Sequence, residues 1–191
     1  MRRRLAWLVA LPAMLTGSQL AHAVAYRWVY PEAHVRLLRM AATGHGYFTW
    51  LPLALGVAGS VAAVALVATG LDAARGRPIR DVPAFAFGVL PPLAFVLQEF
   101  LELSLHLGRP TWQFAAAPTF LPGLLLQLPF AVLAYLAARA LLRAAEHVGR
   151  ALATHRRPRP SATSVTPILA LRARLLPSRC LARAPPVAAV V

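Results

Sequence analysis

The sequence predicts an all-α integral membrane protein, a bundle of four transmembrane helices, and three observations support this prediction. Hydrophobic residues make up 59% of the 191-residue chain, and its mean hydropathy is +0.60, whereas soluble domains are about 45–50% apolar. The apolar residues fall into four blocks separated by polar loops, and the arginines collect in alternate loops. This composition excludes a disordered chain and argues against a water-soluble domain.

Four predicted transmembrane helices account for the apolar blocks. Each block contains at least the roughly 20 residues that a helix needs to cross a bilayer. Although prolines occur inside the blocks, we predict helices because only helices and closed barrels satisfy their own backbone hydrogen bonds in lipid. The predicted spans cover about residues 5–26, 47–69, 83–106 and 119–142. The second contains small residues four apart, such as Gly56 and Ser60, and is therefore expected to pack closely inside the bundle.

The first block has a second interpretation, as a cleaved signal peptide. It begins with three arginines, continues with the apolar stretch 5–15, and carries an Ala-His-Ala cleavage motif at residues 21–23. Cleavage there would remove residues 1–23 and leave three spans. The apolar character that resumes over residues 21–26 favours an uncleaved helix, and four spans are therefore the preferred interpretation.

The arginines predict the orientation of the bundle. With the amino terminus inside, sixteen of the 20 arginines lie in cytoplasmic segments, which follows the positive-inside rule and places both termini in the cytoplasm. The chain contains no lysine and no asparagine. Because the codons of both residues are AT-rich, we expect a GC-rich bacterial gene and a location in the bacterial cytoplasmic (plasma) membrane. The four arginines on the outer side are Arg27, Arg36, Arg39 and Arg109.

A basic tail is predicted to follow the bundle of residues 1–143. Residues 144–191 contain eight arginines and a single acidic residue, Glu146. A largely disordered tail is the preferred interpretation, and attraction of the arginines to anionic lipid, at about 1 kcal/mol for each one near a membrane surface, is the alternative. Because the arginines follow a membrane rule, the net charge of +14 does not indicate a nucleic-acid partner. No protein partner is identified, and the one cysteine, Cys180, excludes an intramolecular disulfide.

The third block carries the candidate functional residues. Glu99, Glu102 and His106 have the spacing i, i+3, i+7 and therefore share one face of the predicted helix. His22 and His45 are predicted at a similar depth, towards the outer leaflet. Ionisable residues inside spans are costly and indicate function, so Glu99 and Glu102 are candidate acid–base residues. All five side chains are candidate nitrogen and oxygen ligands of a transition metal ion.

Other interpretations of these residues remain open. Glu99 can make a polar contact that only holds neighbouring helices together. Glu102 and His106 can simply meet water at the membrane interface. The ligand of an outer-leaflet site can be a metal ion, a proton or a lipid-like molecule. Haem is not favoured because the histidines lie near the rim of the bundle. The chain has no phosphate-binding loop, dinucleotide motif or zinc-protease motif. A non-enzymatic accessory or scaffold subunit is therefore at least as well supported as an enzyme.

Three segments carry a resemblance to a group of proteins. GHGYF (44–48), LPPLAFVLQEFLE (90–102) and PTFLPGLLLQLPF (118–130) resemble segments of multi-pass membrane proteins of high-GC, actinobacterial-type bacteria. The resemblance covers about residues 44–142. It implies a helical membrane fold, and it implies no activity and no catalytic residues.

Overall fold

The structure is all-helical over the residues it describes, which are 2–78 and 81–156 of this computed structural model. This confirms the all-α class. Short 3₁₀ turns at His45–Thr49 and Gln113–Ala116 lie in two of the connections between the helices. The five α-helices are α1 (Arg2–Val29), α2 (Ala33–Ala42), α3 (Leu51–Ala74), α4 (Ala84–Leu107) and α5 (Phe120–Arg156).

Four of these helices are long and apolar enough to cross a membrane, as the sequence predicts. They are α1, α3, α4 and α5, each with an 18-residue window of mean hydropathy between 1.4 and 2.2. The remaining helix, α2, is short, and none of its residues is buried.

Helix α1 is the central element of the bundle. Half of its apolar window is buried, compared with 6% of the window in α3, and it packs against α3, α4 and α5. Several of the residues that α1 turns to its neighbours are small: Ala6, Ala10, Ala21 and Ala25 are at most 1% exposed. Small side chains at a helix interface let the backbones approach closely, and α1 can therefore contact three helices at once.

Glycines mark close approaches of α5 to α1 and to α3. A Cβ atom at Gly17 of α1 would lie 3.1 Å from the carbonyl oxygen of Phe130 in α5. A Cβ atom at Gly149 of α5 would collide with the carbonyl oxygen of Gly70 in α3. Helix α5 is therefore fixed against α1 and α3 at positions where no larger residue fits.

The expectation that the small residues in the middle of the second span make close contacts fails at two glycines. Gly56 and Gly59 have no atom within 4 Å of the place where a Cβ would stand. Helix α3 instead buries Ala65, Thr69 and Ala73, which lie four residues apart on another face. The spacing of small residues identifies a face that permits close packing, but it does not say which face meets a neighbour.

Several helix boundaries also differ from the expected spans, and α3, for example, ends at Ala74 rather than near residue 69. Helix α3 begins at Leu51, four residues late, because residues 45–49 form a 3₁₀ turn and Pro52 lies in the first helical turn, where its missing N–H costs nothing. Helix α5 continues to Arg156, so residues 144–156 are helical although we assigned them to a disordered tail. This segment contains strong helix formers and an Arg150–Glu146 ion pair at i, i+4. The rest of the predicted tail, 157–191, lies outside the described residues.

The close approach of α3 and α5 predicts unequal effects of two glycine substitutions. Alanine is favoured over glycine inside a helix by about 1 kcal/mol, so Gly59→Ala should leave stability unchanged or slightly raised. Gly149→Ala should instead lower the free energy of unfolding by about 1–3 kcal/mol, because the new methyl group forces the helices apart. Thermal unfolding in detergent, followed by circular dichroism, compares the two variants. Equal stability of the two would contradict this packing.

Candidate metal centre

Four ionisable side chains from three separate segments meet at one end of the bundle. His22 comes from α1, His45 from the 3₁₀ turn before α3, and Glu99 and Glu102 from successive turns of α4. His22, His45 and Glu99 are 2%, 3% and 5% exposed. The structure thus brings together four of the five side chains that the sequence singles out.

The distances within this group are short. His22 Nδ1 lies 3.3 Å from Glu99 Oε1, and His45 Nε2 lies 3.8 Å from the same oxygen. Glu102 Oε2 is 3.1 Å from His45 Nε2. One donor atom from each of His22, His45 and Glu99 can be chosen so that all three lie within 4.8 Å of one another. The group is therefore one site, with Glu99 between the two imidazoles.

A buried polar face of α1 positions His22. Ser18, His22 and Tyr26 are buried and lie four residues apart, so they share one face of the helix. One turn before His22, the Gln19 side-chain amide donates a hydrogen bond of 3.2 Å to Gln98 Oε1. Because Gln98 precedes Glu99, this bond fixes the register of α1 against α4 and places His22 opposite Glu99.

Gly44 brings His45 to the site. It has a φ of +88°, a conformation that residues with a side chain rarely adopt. A Cβ atom there would lie 2.9 Å from the carbonyl oxygen of Glu102. The loop therefore rests directly on the backbone of α4, and only glycine permits the turn that carries His45 inwards.

Thr43 determines which nitrogen of His45 carries a proton. The Thr43 hydroxyl lies 2.9 Å from the carbonyl oxygen of Arg39 and 2.8 Å from His45 Nδ1. The arrangement that uses both contacts has the Thr43 hydroxyl donating to the carbonyl oxygen of Arg39 and His45 Nδ1–H donating to Thr43 Oγ1. In the neutral ring, His45 Nε2 therefore presents a lone pair towards Glu99 and Glu102.

Aromatic rings surround the two imidazoles. The rings of His22 and His45 stack with centroids 5.0 Å apart and planes 12° from parallel. The Tyr26 hydroxyl lies 3.4 Å from His45 Nε2 and 3.3 Å from Thr43 Oγ1. The Phe95 ring packs against His22 at 5.7 Å. These contacts limit the freedom of both rings to rotate, so the nitrogens stay aimed at the carboxylates.

Two pairs of donor atoms have the spacing of two ligands on one tetrahedral ion. Two donors at about 2.0–2.1 Å from a tetrahedral zinc ion lie about 3.3 Å apart. The separations of His22 Nδ1 from Glu99 Oε1 and of His45 Nε2 from Glu102 Oε2 are 3.3 and 3.1 Å. Glu99 has no arginine partner among the described residues, 2–78 and 81–156. A cation between these groups would balance a buried negative charge.

One predicted member lies outside the group, and two further residues belong to it. His106 is exposed, although its spacing from Glu99 and Glu102 places it on nearly the same helix face. Thr43 and Tyr26 were not predicted as site residues. The signal for Tyr26 was its position four residues after His22, on one face of α1. No sequence pattern indicates the hydrogen bond between Thr43 and His45.

No protein-family model, curated protein or solved structure matches the chain. The function of the site therefore follows from its own geometry. The resemblance to membrane proteins of high-GC bacteria stays a prediction.

The hydrogen bond from His45 to Thr43 predicts the tautomer of His45. In metal-free protein labelled with ¹⁵N-histidine, the ring nitrogen shifts should show the proton on Nδ1 of neutral His45, assigned by its loss in His45→Gln. Thr43→Val removes the acceptor and should leave a mixture of tautomers, whereas Thr43→Ser should keep the original one. The control is Thr49→Val, since Thr49 bonds only to the carbonyl of Gly46 in the same turn. A proton found on Nε2 in the unmodified protein would refute this assignment.

Proposed function

We propose that this chain is a multi-pass membrane protein that binds one divalent transition metal ion between His22, His45 and Glu99. The observation that carries the proposal is the convergence of one donor atom from each of these three buried side chains within 4.8 Å. They come from two helices and a turn, so their meeting does not follow from closeness in sequence. Glu102 is the candidate fourth ligand, because its Oε2 lies 3.1 Å from His45 Nε2.

The choice of a metal over a proton rests on the hydrogen bond between His45 and Thr43, which orients the His45 ring. Metal-binding histidines usually donate their other ring N–H to an acceptor, which fixes the tautomer. The bond from His45 Nδ1 to Thr43 has this arrangement, at 2.8 Å. In this arrangement His45 Nε2 lies beside the carboxylates of Glu99 and Glu102, where a bound cation would accept its lone pair. A metal ion satisfies all of these donors at once.

The ligand set indicates the class of metal. Two imidazoles and one or two carboxylates form a nitrogen–oxygen set without thiolate or thioether, which suits Zn²⁺, Fe²⁺ or Co²⁺ better than Cu⁺. All three central ligands are buried, and they belong to different segments. In this proposal the ion joins α1, the turn before α3 and α4, and no reaction is assigned to it.

The placement in the membrane is part of the proposal. The four apolar helices favour an integral membrane protein. We place the metal centre near the outer face of the bacterial cytoplasmic membrane, with both termini in the cytoplasm, because the arginines follow the positive-inside rule. Three tryptophans near the same end, Trp28, Trp50 and Trp112, are 72%, 69% and 72% exposed, as expected of aromatic residues at a membrane interface.

Metal titration of the purified protein in detergent tests the proposal. After removal of metal with a chelator, we expect one Zn²⁺ or Co²⁺ per chain, read by native mass spectrometry and by cobalt absorption. We expect metal binding to weaken at least about 100-fold when one ligand is lost, in His22→Gln, His45→Gln or Glu99→Gln. Thr43→Val should weaken it about 10–100-fold, because it removes the hydrogen bond that orients His45. His34→Gln and His106→Gln are matched controls, since both histidines are exposed. The intact mass also shows whether residues 1–23, and hence His22, are retained.

An accessory or scaffold role is the second candidate, favoured by the buried Gln19–Gln98 hydrogen bond. In that case the His–Glu contacts would serve only to hold the helices together. Glu99→Gln would then lower the unfolding temperature of metal-free protein, and zinc would not change the unfolding temperature of either form. In a metal site, zinc raises the unfolding temperature of the unmodified protein by mass action, and Glu99→Gln abolishes that increase. Unmodified protein that binds no metal would refute the metal proposal.

The proposed orientation predicts the labelling of single cysteines. In a Cys180→Ser background, His34→Cys lies before α3 on the outer side, and Ala151→Cys lies near the end of α5 on the inner side. A membrane-impermeant maleimide added to intact cells should label position 34 and not position 151, and both should react after lysis. Labelling of position 151 in intact cells would contradict the proposed topology, in which this position lies in the cytoplasm.

A further inference from the structure

A second polar site lies at the other end of the bundle. Phe87 and Ala10 are each twelve residues before a member of the metal centre, Glu99 and His22, which corresponds to about 18 Å along α4 and α1. At this level a small cavity that is open to the surface lies between α1, α4 and α5. Its charged lining residues are Asp81 and Arg139, and its remaining lining is apolar apart from Tyr135.

Arg139 has unused hydrogen-bonding capacity in this cavity. Its Nη1 donates to the Tyr135 hydroxyl at 3.4 Å, and its guanidinium carbon stands 5.9 Å from the Tyr135 ring centre. Its Nε is buried and has no hydrogen-bond partner among the described residues. A guanidinium offers five N–H donors in a planar fork that matches phosphate oxygens. Tyr135 therefore orients the Arg139 guanidinium, and an anion can accept the hydrogen bonds that this guanidinium has left to donate.

Asp81 supplies the opposite charge without neutralising Arg139. It lies in the connection before α4, lines the same cavity and is exposed. Within residues 2–78 and 81–156, Asp81 and Arg139 form no ion pair at 4 Å or less. The cavity therefore presents a cation and an anion that are separate from each other. This arrangement complements a ligand that carries both a phosphate and an ammonium group.

The position of Arg139 identifies the source of such a ligand. It lies nineteen residues after Phe120, the first residue of α5, which is about 28 Å along the helix. The hydrocarbon core of a bilayer is about 30 Å thick. If α5 enters the membrane near Phe120, the guanidinium stands at the level of the lipid headgroups on the opposite face.

We propose that this cavity binds the headgroup of a zwitterionic aminophospholipid. The lipid phosphate accepts hydrogen bonds from Arg139, and the lipid ammonium group pairs with Asp81. The apolar lining near Phe87 and Ala10 faces the glycerol and the start of the acyl chains. The site is independent of the metal centre, because it shares no residue with it.

Lipid competition in native mass spectrometry tests this proposal. The protein is exchanged into micelles containing equal amounts of phosphatidylethanolamine and phosphatidylglycerol, and the lipids that stay bound are identified. We expect one phosphatidylethanolamine per chain, retained at least about 10-fold more than by Arg139→Gln. Asp81→Asn should keep a bound lipid but lose the preference for phosphatidylethanolamine over phosphatidylglycerol. Arg143→Gln, which changes an exposed arginine one turn further along α5, should behave as the unmodified protein.

Further measurements distinguish a bound lipid from a free headgroup compound and from the effect of a misfolded variant. Soluble phosphoethanolamine, added in excess, should not displace the lipid; displacement would identify a site for the free headgroup compound instead and overturn the lipid proposal. Gel filtration and thermal unfolding show whether Arg139→Gln is folded, and the altered lipid preference of Asp81→Asn tests the site without changing Arg139. Equal retention of both lipids by the unmodified protein, or undiminished retention by a folded Arg139→Gln, would also overturn the proposal.

Discussion

The burial of the Glu99 carboxylate between two imidazoles is the interaction on which the rest of this structure depends. A carboxylate taken out of water is costly unless it is paired and hydrogen-bonded, and Glu99 is 5% exposed, with ring nitrogens of His22 and His45 at 3.3 and 3.8 Å from its Oε1. The two histidines come from segments that are distant in sequence, so the bundle has to bring α1, α4 and the turn before α3 to one point. A metal ion would turn this requirement into a source of stability, because its binding energy is available only to the folded arrangement.

Close backbone packing makes this convergence possible. The buried residues of α1 include alanines as well as the polar residues Ser18, His22 and Tyr26. Gly17 lets α5 approach α1 to contact distance. Gly44 does the same for the loop that carries His45, because its left-handed conformation and its closeness to Glu102 exclude a side chain. Small residues therefore have a structural role wherever a polar group must be delivered into the bundle. Gly56 and Gly59 of α3 bring no polar group into the bundle, and they face open space.

The two ends of the bundle have different chemistry, and a largely apolar middle separates them. At one end, two carboxylates and two imidazoles form a site that would favour a cation. At the other end, Arg139 and Asp81 offer one charge of each sign in a cavity with an apolar lining. Between them, Gln127 is fully buried and its side-chain amide lies 3.5 Å from the carbonyl oxygen of Ser18. Polar groups at the ends and apolar groups between them are the arrangement expected of a protein whose middle lies in hydrocarbon.

The sequence by itself predicted the helical class and the four long apolar helices, since apolar blocks of about 20 residues leave few alternatives. Periodicity also placed Glu99 and Glu102 on one face, and position along the chain placed His22 and His45 at a similar depth. The exposure of His106 and the outward direction of Gly56 depend on how each helix is rotated about its axis, which the tertiary packing decides. The extension of α5 to Arg156 is accompanied by the Arg150–Glu146 pair, and the tautomer of His45 follows from one hydrogen bond to Thr43. Sequence patterns fix distances along a helix and faces around it, but contacts between helices depend on which faces meet, and this is settled only when all the helices pack together.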